Sequence, residues 1–231
     1  MVVAILNAND WNAIWLSTQV AVFAATACLL ISIPLGWWLA RTRWKGRWLI
    51  ETVVNLPLVL PPVVTGFLLL VLFSPNGWIG YPLKNWFGVS IVLTWWAALI
   101  AAVIVSLPLA IRPIQLAFQN TDRRLESVSR TLGAGRWQTF RYVTLPLAKR
   151  GVIAGWLLAF ARSLGEFGAT IMVAGNILGE TRTIPLAIYS HVNSADGVGF
   201  AWPLVVVSIV LACLALFAGQ WIESRSRGTR R

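Results

Sequence analysis

Two charged side chains stand inside an otherwise apolar run, Arg162 and Glu166, within the stretch from about Gly151 to Ala174. Four residues apart on a helix, they can face one another. If that stretch lies in a bilayer, each unpaired charge costs roughly 2.5–3.5 kcal/mol at mid-membrane on insertion scales, so a partner is expected. Two readings stay open: a structural ion pair near a bundle axis, or the polar lining of a route for an anion or a proton. The other reactive residue types are sparse. His191 is the only histidine, and with no cysteine or second histidine nearby it reads as a solvated surface residue rather than a metal ligand. Cys28 and Cys213 both fall in apolar runs, away from aqueous oxidant and from any second ligand, and read as small packing residues. The chain carries no G-x-x-x-x-G-K-[ST] loop, G-x-S-x-G elbow, H-E-x-x-H pair or EF-hand. No catalytic constellation and no metal site are predicted. Any work against a gradient must then be supplied by another polypeptide.

The elements that would position Arg162 and Glu166 follow from composition. Of 231 residues, 58% are apolar and 12% are charged, about half the charged share of a soluble domain. Mean hydropathy is +0.72. Uncharged runs cover Trp11 to Ala40, Thr52 to Leu83, Asn85 to Ile111 and Gly197 to Ile222. Each exceeds the roughly 20 residues a helix needs to cross a bilayer. With the stretch that holds Arg162 and Glu166, five spans are predicted, and the fold class is an all-α, polytopic transmembrane helical bundle. The formal charge of +11 is a topology signal rather than a nucleic-acid signal. Sixteen of the 19 basic residues lie at Arg41–Arg47, Arg112–Arg150 and the tail after Ile222, which places those segments in the cytoplasm. The amino terminus is therefore expected outside and the carboxyl terminus inside. Met1 to Asp10 has no basic region ahead of the apolar run, so the first span is expected to persist.

The first span, about Ala13 to Leu39, ends in Trp37 and Trp38 just before Arg41, an interfacial belt followed by an anchor. The second, about Ile50 to Phe73, contains Pro57, Pro61 and Pro62, so a bent or broken helix is expected. The break either faces protein or a cavity that satisfies its freed carbonyls, or is a plain packing kink. Ser74 to Gly88 reads as a turn-forming outer loop, and Val89 to Ala110 as the third span. Between the third and fourth spans, Leu125, Val128 and Leu132 make one apolar stripe on a short helix that Thr121 or Asp122 can cap. Gly133 and Gly135 then allow a left-handed residue and a sharp turn, before Trp137 and Phe140 open a second short helix that ends near Pro146. This corner either floats in the headgroup layer or docks to a cytoplasmic partner. In the fourth span Gly151 and Gly155 have the small-xxx-small spacing that lets helices approach closely. Asn176, Glu180, Arg182, His191 and Asp196 supply a polar outer surface, and Trp202 to Ile222 is the fifth span.

The run from Glu126 to Pro146, with Gly133 thirteen residues ahead of Pro146 in a TLPL tetrapeptide, resembles the "EAA" coupling loop of binding-protein-dependent ABC importer permeases. Leu56 to Leu70, Arg130 to Trp137 and Leu164 to Tyr189 are similar to the molybdate branch of that family, with sulfate permeases the nearest relatives. Aligned on Gly133, the family's Glu-Ala-Ala triplet falls on Ser127, Val128 and Ser129, and the acid stands one place earlier, at Glu126. The resemblance implies a single permease domain over residues 1–231, with a coupling loop at 121–146. It implies a homodimer in the cell inner membrane that imports molybdate, or alternatively tungstate or sulfate. It also implies two copies of an ATP-binding subunit, which use ATP and Mg, and a periplasmic molybdate-binding protein that delivers the substrate. This subunit is then a transport component with no cofactor of its own. In that scheme Leu125, Glu126, Val128, Leu132, Gly133, Gly135, Trp137, Phe140 and Pro146 couple to the ATPase. Thr65, Ser163 and Thr170 are pore-facing hydroxyls beside Arg162 and Glu166. A stand-alone secondary carrier or channel is the reading from a different class.

Overall fold

The computed structural model describes residues 6–194 and 198–227. Asp196, counted above in the outer surface, and Arg230 and Arg231 of the basic tail lie outside the described residues. The described residues contain helices and no strands. In chain order the helices are α1 (Ala8–Arg41), α2 (Arg47–Val59), α3 (Pro62–Phe73), α4 (Gly80–Phe87), α5 (Trp95–Gln119) and α6 (Arg123–Thr131). There follow α7 (Arg136–Thr139), a π-helical turn (Phe140–Thr144), α8 (Leu145–Leu147), α9 (Lys149–Leu164), α10 (Gly168–Val173), α11 (Ile184–Val192) and α12 (Val198–Arg227).

Among the described residues three helices are long and apolar enough to cross a bilayer on their own: α1, α5 and the Gly199–Gly219 stretch of α12. Two bent helix pairs are further candidate crossings. Helices α2 and α3 meet at 112° across Leu60 and Pro61, and Arg136–Leu147 meets α9 at 69°. The expected break in the second span is thus present, at the residues where proline removes backbone donors. The fourth span differs from its expected course, because α9 ends at Leu164 and the chain restarts as α10 at Gly168. At 16 residues α9 is about 24 Å long, short of the roughly 30 Å of hydrocarbon.

Two other boundaries are corrected. The outer loop holds a helix, α4, in which Pro82 is tolerated in the first turn and Gly88, at φ +66°, stops the helix in the left-handed region. The third span starts six residues later and ends nine later than expected. Its start is delayed because Leu93, at φ +63°, donates its N–H to the Val173 carbonyl at 3.0 Å, and Thr94 then takes an extended N-cap conformation. Its end is extended because Arg112 and Gln115, past the last apolar residue of the run, find polar partners on α2.

Helix α5 is the hub. Ala97, Ala98, Ala101, Ala102 and Val105 form a buried small-residue stripe on it, against which Leu16, Val20 and Ala24 of α1, Leu69 of α3, and Ala169 and Val173 of α10 pack. Small residues let the backbones approach, which is where packing attraction comes from when lipid is as apolar as the side chains. The same logic holds at α9. A Cβ on Gly151 would stand 2.3 Å from the Ala117 Cβ and 2.5 Å from the Pro113 carbonyl oxygen, and one on Gly155 would stand 2.7 Å from the Ala110 carbonyl oxygen. The small-xxx-small pair is therefore the seat of the α5–α9 crossing.

Candidate functional site

The cytoplasmic corner is built by local chemistry. Asp122 caps α6, its Oδ1 accepting from the Arg124 N–H at 2.8 Å, which resolves the choice between Thr121 and Asp122. After α6 the chain reverses at Gly133, whose φ of +91° is a conformation open to glycine and strained for other residues. Gly135 does not share that role. Its φ is −67°, and it is the N-cap of α7, with its N–H held by the Gln138 Oε1 at 2.9 Å.

The expected apolar stripe faces outward. Leu125, Val128 and Leu132 are 47%, 55% and 82% exposed, and with Tyr142, Val143 and Pro146 they line an open groove of about 520 Å³. Trp137 is exposed and stacks on Phe140 with centroids 5.7 Å apart. Phe140 turns the other way, into the bundle, with Trp37 at 5.6 Å and Phe118 at 6.2 Å. Glu126 also turns inward. It pairs with Arg41 at the end of α1 and accepts a hydrogen bond from the Thr144 hydroxyl at 2.9 Å. The corner residues therefore divide into an outward apolar groove and an inward set that grips α1 and α5.

In the membrane-embedded part, Arg162 and Glu166 stand 2.7 Å apart, as their spacing suggested. Glu166 is 2% exposed, and its Oε1 accepts from the Ala169 N–H at 2.7 Å, which satisfies the first turn of α10 after the break. Ser163 is buried and shares a 2.8 Å hydrogen bond with Ser106 in the α5–α9 contact. Thr65 and Thr170 are buried on α3 and α10, two helices that meet where Gly66 faces Ala169. The Thr65 hydroxyl has no hydrogen-bond partner among the described residues.

Two polar groupings were missed by sequence reasoning. Glu51 accepts from Arg47 at 2.8 Å and from Gln115 at 2.9 Å, and Arg112 donates to the Asn55 side-chain oxygen at 3.1 Å. Glu51, Asn55, Arg112 and Gln115 border a cavity of about 320 Å³ between α2 and α5. The available signal is the i, i+4 pair Glu51 and Asn55 beside the i, i+3 pair Arg112 and Gln115. The second is His191, expected to be solvated. Its Nε2 lies 2.9 Å from the Asp10 Oδ1, joining α11 to the first turn of α1. Among the described residues no group of three or more His, Cys, Asp or Glu side chains is placed to hold a metal ion.

Residues 32–228 match the family described as the binding-protein-dependent transport system inner membrane component. This chain belongs to that family. It is 46% identical over 223 residues to the molybdenum transport system permease protein of Escherichia coli (strain K12), covering 96% of this chain and 97% of that protein. The corresponding protein of Haemophilus influenzae is 45% identical, with 93% of each chain covered. A probable sulfate transport system permease protein of Chlorella vulgaris is more distant, at 34% identity over 89% of this chain and 76% of that one. Among solved structures, an inward-facing methionine ABC transporter matches with a TM-score of 0.68 at 22% identity, covering 95% of each chain. A bacterial alginate ABC transporter in complex with its pentasaccharide-bound periplasmic protein matches with a TM-score of 0.74 at 17% identity, covering 95% of this chain and 80% of that one. At those identities the likeness is one of fold. The chain is a multi-pass inner-membrane component of a transport system, in agreement with the all-α reading.

Proposed function

We propose that the chain is the permease subunit of an ATP-driven importer of molybdate. The observation that carries this reading is the 46% identity, over nearly the full length of both chains, to a molybdenum permease. Two copies form the passage, two ATP-binding subunits hydrolyse ATP with Mg, and a binding protein on the outer side delivers the anion. The permease itself performs no chemistry. The basic loops face the cytoplasm and the amino terminus faces out, a reading supported by the sixteen basic residues on one side.

In this mechanism the outward groove of Leu125, Val128 and Leu132 is the surface gripped by the ATP-binding subunit. A short capped helix with a fixed reversal transmits a rigid-body displacement that a loose loop would absorb. The break at Glu166, with α3 against α10, puts the irregular backbone of the fourth crossing beside the broken second crossing. Thr65 and Thr170 are buried where α3 meets α10, so they supply hydroxyls to a passing oxyanion when that contact opens, and weak contacts suit a conduit because tight ones delay release.

The test is uptake of labelled molybdate by the complex reconstituted with its ATP-binding and binding-protein partners. Uptake is expected to require ATP, to be competed by tungstate, and to resist equimolar sulfate. Competition by sulfate at equal concentration would move the assignment to the sulfate branch, represented by the sulfate permease at 34% identity. Transport by the purified subunit in liposomes without ATP would replace the importer reading with a stand-alone carrier.

A further inference from the structure

We propose that Arg41 and Glu126 form an internal joint through which displacement of α6 is delivered to α1. Glu126 is then a positioning residue within this chain and not a contact to the ATP-binding partner. The inference rests on the coupling reading of the corner.

Four observations carry it. The Arg41 and Glu126 side chains are only 14% and 13% exposed, so little of the carboxylate is left for a second protein. Its Oε1 is shared between Arg41 and the Thr144 hydroxyl, so the one acid ties together α1, α6 and the chain beyond the reversal. Trp37 lies four residues before Arg41, on the same face of α1, and packs on Phe140 of the corner at 5.6 Å. A charged contact and an aromatic contact one turn apart fix an orientation as well as a distance. Finally, α1 is a single helix of 34 residues, about 51 Å long, and its far end is tied to α11. There Asp10 meets His191 at 2.9 Å and the Ser17 hydroxyl accepts from the Ile184 N–H at 2.6 Å.

The arrangement makes α1 a rod clamped at both ends. A push on the outward groove turns α6, the joint passes that rotation to Arg41, and α11 receives it at the opposite end of the bundle. The apolar contacts alone would let the corner pivot about Phe140. The ion pair removes that freedom. Exchanging the two charges tests the coupling directly.

The complex is reconstituted with its ATP-binding and binding-protein partners, and molybdate uptake per ATP hydrolysed is measured together with the amount inserted. In parallel, Leu132→Cys, in a background carrying Cys28→Ala and Cys213→Ala, is crosslinked to the ATP-binding subunit. Glu126→Gln and Arg41→Gln are each expected to lower uptake per ATP roughly fivefold or more, the low end of measured couplings, while the crosslink persists. The exchange Arg41→Glu with Glu126→Arg is expected to regain most of the lost ratio. Wild-type ratios in both single variants overturn the joint, as does an exchange variant no better than the singles. A crosslink lost specifically in Glu126→Gln overturns it in favour of a direct contact to the partner. Should neither single variant reach the membrane, the exchange variant decides by its ratio alone. If Leu132→Cys fails to crosslink in the otherwise unsubstituted background, the coupling reading itself falls, and the joint with it.

Discussion

Replacing Gly133 with valine tests the corner at its narrowest point. Its φ of +91° lies in the left-handed half of conformational space, and a Cβ built there meets no atom within 4 Å. The penalty is therefore purely one of backbone, with no clash and no lost contact to confuse it. A left-handed conformation costs an L-residue roughly 1–2 kcal/mol, and a β-branched one more. That corresponds to a shift of about 5- to 30-fold against the reversed geometry. The expected result in the reconstituted complex is normal insertion and continued ATP hydrolysis, with uptake per ATP reduced by a factor at or above the upper part of that range. Gly133→Asn should fall between wild type and valine, because asparagine tolerates left-handed backbone. Gly135→Ala is the control. Its φ is −67° and its added Cβ would meet only the Gln138 Oε1, at 3.7 Å, so uptake per ATP should be unchanged. A Gly133→Val variant that imports as efficiently as wild type would refute the claim that the reversal transmits the stroke.

Two further outcomes are expected. Gly151→Val forces α9 off α5, where even a Cβ comes within 2.3 Å of Ala117, and should lower thermal stability in detergent by about 1–3 kcal/mol; Gly165→Ala, with its nearest neighbour 3.9 Å away, should leave it unchanged. Arg162→Gln leaves a 2%-exposed carboxylate without its charge partner and should destabilise by roughly 3–5 kcal/mol, seen as reduced membrane yield and thermal stability. Glu166→Gln leaves an arginine that is 26% exposed and should be milder, and the double variant should be milder than Arg162→Gln alone. Equal losses in the two single variants would show that burial of the acid is not what the pair is organised around.

Much of this protein follows from chain order alone. Hydrocarbon thickness imposes a minimum length on any uncharged run that crosses it, so candidate crossings could be marked without knowing what packs on what. Local rules were legible in part: the proline-rich stretch marked a broken second crossing, whose break falls at Leu60 and Pro61 while Pro57 stays inside α2, the cap offered by Thr121 or Asp122 falls on Asp122, and of Gly133 and Gly135 it is Gly133 that takes the left-handed turn. The direction in which a side chain points is a different matter, because it depends on which helix arrives beside it. Glu126 and Leu125 are neighbours in sequence, yet one is drawn inward by Arg41, 85 residues away along the chain, and the other faces out. Ser163, a candidate pore hydroxyl by sequence, shares a hydrogen bond with Ser106, 57 residues away on α5. The lone histidine met Asp10 across 181 residues. In each case the deciding partner is remote in the chain, and only the packing of α1 and α5 against the rest brings the two within reach of a hydrogen bond.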